Sequence, residues 1–277
     1  MTTIRILATL ALLLSLHARA GVLVTEASGK AEVEGKGPLA TLAELPDGSR
    51  LNLPAGARVV VVDLASGREF VLEGKGRFSI AADGPHGADG KTLAARPLKA
   101  QGLPPARVAA ARVAQATLVM RSTGKGQAAL LRGPARTVVL SLRPSLRWEA
   151  VDGAERYRVT VQGVDGSPVL EAETAATELA PPADAGLAAG GAYRWRLEAL
   201  GSDGRTLAEA SAGFSVATEA VMARLRDLEP AAGDGFARRV LYAAQLQEAG
   251  ATEEAARHWK LLAAERPEDP VLQVLAR

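Results

Sequence analysis

Apolar residues recur along most of the chain in short runs, and clusters of Gly, Pro, Asp and Ser break the runs apart. In the second half the runs alternate with a period of two. Tyr157-Arg158-Val159-Thr160-Val161 and Tyr193-Arg194-Trp195-Arg196-Leu197 each put rings and aliphatics on one face and Arg or Thr on the other. That is the pattern of a half-buried strand. Asp152-Gly153-Ala154 and Ser202-Asp203-Gly204-Arg205 supply turns beside them. Thr137–Leu142, Val169–Glu173 and Phe214–Val216 add further predicted strands, and the segment through Trp148 another. The pattern in the first half is tighter. Ala57–Asp63 contains four β-branched residues in a row, which favours a well-packed strand. Ser66-Gly67 leads into Arg68–Glu73, and Gly74-Lys75-Gly76 into Arg77–Ile80, so three strands are predicted to form a meander.

After Thr218 the period lengthens to that of a helix. Thr218 is placed to cap a helix through Leu228, and Asp234 one through Ala249, stopped by Gly250. Thr252 opens a third helix that ends before Pro267, and Val271–Ala276 begins a fourth.

Residues 138–216 resemble a fibronectin type III-like β-sandwich. The runs Leu45-Pro46-Asp47-Gly48-Ser49-Arg50-Leu51, Leu53–Val59, Ser66-Gly67-Arg68-Glu69-Phe70 and Gly74–Phe78 resemble the FecR-type domain, a β-rich module of bacterial envelope proteins. The spacing Ala243, Leu246, Gly250, Ala255, Trp259, Pro267 resembles one tetratricopeptide (TPR) repeat, in which small residues let two helices cross closely. The chain is therefore read as mainly β. Residues 1–20 are a signal peptide and 21–95 a FecR-like β domain. Residues 96–133 form a linker with a short helix over Ala106–Ala116 and a strand over Thr117–Met120. A sandwich over 134–217 and a TPR-like helical tail over 218–277 complete the chain.

Composition narrows the function classes. There is no Cys, which excludes disulfides, thiolate metal sites and a Cys nucleophile. Arg5, the apolar run Ile6–Leu16 and Ala18-Arg19-Ala20 have the layout of a secretory leader, with cleavage expected between Ala20 and Gly21. Without Arg5 and Arg19 the chain carries 31 basic and 31 acidic residues. A scattered, balanced charge does not suit nucleic acid.

Candidate chemistry is sparse. Gly90-Lys91-Thr92 ends like a phosphate-binding loop, but Pro85 stands where that motif needs Gly, so an ordinary loop is expected. His86 and His258 are isolated. Glu253-Glu254 and Glu268-Asp269 lie at helix starts, where acids complement the dipole. No catalytic, cofactor or metal residues are assigned. With aromatics at 4%, each large ring is expected to anchor its own module. Trp148, Tyr157, Tyr193 and Trp195 are read as sandwich core, with Arg147, Arg158, Arg194 and Arg196 on the outer face. The tail has more leucines than one repeat covers, so Tyr242, Leu246, Trp259 and Leu262 are candidate partner-binding residues. The expected function is protein binding or scaffolding by a non-catalytic protein of the bacterial periplasm. Its expected partner is another envelope protein. A cell-wall glycan-binding module with exposed sandwich aromatics is the alternative.

Overall fold

The computed structural model describes residues 21–98, 102–104 and 130–277. The leader Met1–Ala20, the Ala106–Ala116 helix and the Thr117–Met120 strand lie outside these residues. The chain is mainly β, with a β-sandwich in its second half and short helices at its end.

The first β unit holds β1 (Val22–Ser28), β2 (Glu32–Val33), β3 (Gly37–Pro38), β4 (Glu44–Leu45), β5 (Arg50–Leu53), β6 (Arg58–Asp63), β7 (Arg68–Glu73), β8 (Gly76–Ala81), β9 (Gly84–His86) and β10 (Ala95–Pro97). They form two sheets, ordered β10-β7-β6-β1-β4 and β3-β2-β5-β8-β9. The expected meander is corrected here. β6 and β7 pair, but β8 leaves their sheet and pairs with β5 and β9. The turn at Gly74 (φ 83°) carries the chain across to the second layer, where Ile80 joins the core between the sheets.

Val59, Val60, Val61 and Val62 on β6 are each at most 1% exposed. A strand buried on both faces needs a cover on each. Val59 and Val61 face the second sheet, in a core with Leu51, Leu53, Phe70 and Leu72. Val62 faces the other way, into a second core with Leu23, Leu42 and Leu64 that is completed by residues from the end of the chain.

Those residues lie on α1 (Glu219–Leu228), α2 (Phe236–Glu248), α3 (Thr252–Glu265) and α4 (Pro270–Leu275). Thr218 caps α1, accepting from the Val221 amide. Asp234 does not cap α2, which Gly235 precedes; its carboxylate accepts from the Ala231 amide and shapes the turn before the helix. Thr252 is the first residue of α3. Asp269 caps α4 by accepting from the Val271 and Leu272 amides. The segment after β10 also belongs to this layer. Leu98 and Leu103 are buried, their amides donate to Gly67 and Leu64, and Gln245 Nε2 on α2 donates to Pro104 O at 3.1 Å.

The second β unit comprises β11 (Leu131–Gly133), β12 (Val138–Val139), β13 (Leu146–Trp148), β14 (Arg156–Gly163), β15 (Pro168–Thr174), β16 (Glu178–Leu179), β17 (Ala192–Leu200) and β18 (Thr206–Val216). A three-stranded sheet, β11-β13-β16, faces a five-stranded one, β12-β18-β17-β14-β15. The strand expected over Thr137–Leu142 is only Val138–Val139, running parallel to β18, because β11 begins the sandwich earlier on the other sheet.

Candidate interaction surfaces

Trp148, Tyr157, Tyr193 and Trp195 share one core with Val159, Leu197 and Phe214. Trp195 is fully buried, and its Nε1 donates to Pro134 O at 2.8 Å. Tyr157 and Tyr193 accept on their hydroxyls from the Val151 and Ala188 amides, at 3.0 and 2.8 Å. Their polar tips are thereby satisfied inside the unit. Trp148 is 4% exposed and packs 6.3 Å from Trp195, centroid to centroid.

The residues expected to bind a partner are placed differently. Tyr242 is 5% exposed, Leu246 and Trp259 are 0%, and Leu262 is 1%. All four lie in the core that α2 and α3 share with the first β unit. They are corrected from partner-binding to intramolecular packing, because the outer face of β1 and β6 supplies the cover that the tail lacks by itself. Tyr242 meets His258 edge-on at 5.1 Å. Burial pushes the Tyr242 hydroxyl up to about 12 and holds His258 below its ordinary value.

Polar contacts fasten the helices to both β units. On one side Arg266 Nη2 donates to Glu26 Oε1 at 3.1 Å, and its guanidinium lies 4.4 Å from the centre of the Phe236 ring. Thr41 Oγ1 donates to Asp269 Oδ2 at 2.6 Å. On the other, the Ala135 amide donates to Glu253 Oε1 at 2.7 Å and the Val138 amide to Gly250 O at 2.9 Å. Gly133 (φ 134°) leaves room for that carboxylate; a Cβ there would stand 2.6 Å from Glu253 Oε2. Of these junction residues Arg266, Glu26, Thr41, Ala135 and Val138 carried no motif in the sequence, and Gly250 was legible as a helix stop. Glu253 was legible only as an acid at a helix start.

The loop that ends in Gly90-Lys91-Thr92 folds back as a turn, with His86 bridging to Thr92. His86 Nε2 faces Asp83 Oδ1 at 2.8 Å and Thr92 Oγ1 at 3.2 Å, while Nδ1 faces Gly90 O at 3.1 Å. A nucleophile-activating triad places carboxylate and hydroxyl on opposite ring nitrogens. Here both engage one nitrogen, so the cluster braces a turn. The His86 and Thr92 side-chain hydrogen bonds hold the Asp83 carboxyl below its ordinary value. Among the described residues no group of three or more His, Asp or Glu is arranged to hold a metal ion. Nor is any helix among them long and apolar enough to cross a membrane.

Among the described residues two polar sheet faces are left uncovered. On the outer face of β14, β17 and β18 Arg158 pairs with Glu173 (2.9 Å) and Glu198 (3.4 Å), and Arg196 with Glu198 (3.2 Å) and Glu209. On the outer face of β2, β5 and β8 a groove of about 600 Å³ is lined by Glu32, Glu34, Arg50, Asn52, Arg77 and Ser79 among others. Its signal in the sequence was the alternation Arg50-Leu51-Asn52-Leu53, whose polar positions are exposed and whose leucines are buried.

No family model matches the chain, and no curated protein does. Among solved structures it is similar to the fibronectin(III)-like modules of CbhA from Clostridium thermocellum, at 19% identity and a TM-score of 0.24, over 32% of this chain and 94% of that one. It is also similar to an Fn3-like protein from Clostridium thermocellum, at 20% identity and a TM-score of 0.25, over 32% and 92%. CopC from Methylosinus trichosporium OB3b gives 25% identity and a TM-score of 0.25, over 32% and 94%. Likeness at this level assigns neither an activity nor a partner.

Proposed function

We propose that the chain is a non-catalytic protein of a bacterial cell envelope, exported to the periplasm, that works by holding another protein. The leader-like pattern before Gly21 supports export. The observation that carries the scaffolding reading is the junction just described. Helices α2 and α3 pack into the core of the first β unit and bond to the backbone of the sandwich at Ala135 and Val138. Two β units are thus fastened through one helical piece, and a fixed spacing of two surfaces is what a scaffold supplies. The FecR-like reading of the first unit and the TPR-like reading of the tail belong to this proposal. Ala243 and Ala255 are fully buried where the helices meet, as close crossing requires. The glycan-binding alternative needed sandwich aromatics on the surface, and Trp148 and Trp195 are buried.

The test is crosslinking capture from a periplasmic fraction, using residues 21–277 as bait. Glu253→Ala, combined with a bulky residue at Gly250, is expected to loosen the junction and reduce capture of the partner held by the parent. An isolated sandwich that captures the same partner as well as the full chain would overturn the fixed-geometry reading.

A further inference from the structure

We infer, resting on the export reading above, that leader removal and closure of the first β unit compete for the same residues. The leader is cut while β1 is open, and a chain whose β1 has closed keeps it. Export places the scissile bond between Ala20 and Gly21. β1 begins at Val22, one residue further on. It is an interior strand, flanked by β6 and β4. Val22 stands opposite Asp63 on one side and Leu45 on the other, and Leu23 opposite Val62 and Glu44. No slack separates the cut from the sheet.

Gly21 itself is held close. A Cβ there would stand 1.8 Å from Leu45 O and 2.7 Å from Pro46 Cα. The backbone beside it fills the space that a side chain would take. Glycine at this position is therefore a demand of the fold, whatever a peptidase prefers there.

A peptidase takes its substrate as an extended segment whose backbone groups are free to pair with the enzyme. In the closed unit those groups are engaged on both edges of β1. Beyond the ladder pairs, the Val24 amide donates to Ala43 O at 2.9 Å, and the Leu42 amide donates to Val24 O at 2.7 Å. Val22 and Val24 lie in the core between the two sheets, and Leu23 lies in the core shared with α2 and α3. Entering an enzyme cleft would carry all three into water, which apolar burial opposes. A chain end on a sheet edge frays at little cost. This one is central, so fraying must break two ladders and open two cores.

The experiment starts from residues 1–277 in urea, diluted into detergent micelles to refold. Purified leader peptidase is added either at dilution or after the β1 amides have gained protection from hydrogen exchange. Loss of residues 1–20 is followed by intact mass. A second chain carries Ser-Gly-Ser-Gly between Ala20 and Gly21. The parent is expected to be cut about a hundredfold more slowly after closure than at dilution, because cleavage of a folded segment follows the population of its opened form. The spacer chain is expected to be cut at the same rate at both times. A parent cut equally fast before and after β1 is protected overturns the inference and leaves the leader reading standing. A spacer chain that is never cut overturns both.

Discussion

The two β units solve the same problem in different ways. The sandwich closes on itself: every buried residue of its core, from Leu146 to Val216, lies within the unit. The first β unit does not. Its central sheet is covered on one face by its own second sheet and on the other by α2 and α3, so one core joins Leu23 and Val62 to Leu246, Trp259 and Leu272. Two similar strand-rich halves therefore differ in autonomy, and strand patterns alone do not reveal which half is self-sufficient.

Removing residues 218–277 tests this most severely. It uncovers Leu23, Leu42, Val62 and Leu64, and the first unit is expected to lose its fold while the sandwich keeps its own. Hydrogen exchange should then show unprotected amides on β1 and β6 beside protected ones on β14 and β17. Equal protection in both units would break the comparison.

A finer cut uses the two fully buried tryptophans. Trp195→Ala and Trp259→Ala should each cost about 3–5 kcal/mol, but in different places. Calorimetry and residue-resolved exchange are expected to show Trp195→Ala melting the sandwich, and Trp259→Ala loosening the first unit and the helices. Next in size is Arg266→Ala. Glu26 is 7% exposed, and it would keep only Arg58, with Nε at 3.6 Å. Loss of a charge-assisted hydrogen bond to a buried carboxylate should cost about 1–3 kcal/mol, read as a shift of the denaturant midpoint.

The smallest expected effect is electrostatic. Burial raises the Glu69 carboxyl above its ordinary value, and Arg96, Arg238 and Arg58 only partly oppose this. The unfolded chain then ionises first as pH rises. Stability is fullest below the ordinary glutamate value and declines through the window up to the raised folded value. Glu69→Gln should flatten that decline in a pH series of melting curves. An unchanged slope would mean that Glu69 is solvated as freely as an unfolded glutamate.

Much of the architecture was legible in the sequence. Alternation marked β14 and β17, and the breaks at Gly250 and Pro267 bounded the helices within a few residues. The partner of the helices was not legible, because a contact between Leu23 and Trp259 leaves no local pattern. One cue was available: Val59–Val62 is an unbroken run instead of an alternating one, which signals a strand covered on both sides. The polar groove was illegible for a related reason. Glu32, Asn52 and Arg77 are scattered along the chain and become a row only through strand register.

The shared core also sets an order of events during synthesis. β1 ends at Ser28 and α2 begins at Phe236, so the segment that seals the first sheet emerges after the whole sandwich has been made. Until then an apolar sheet face has no lid, and closing it joins ends separated by most of the chain. Contacts so distant in sequence form slowly, and exposed apolar surface invites aggregation meanwhile. The sandwich, complete by Val216, needs nothing that comes after it, whereas the first unit must wait for the last quarter of the chain before its outer sheet face is covered.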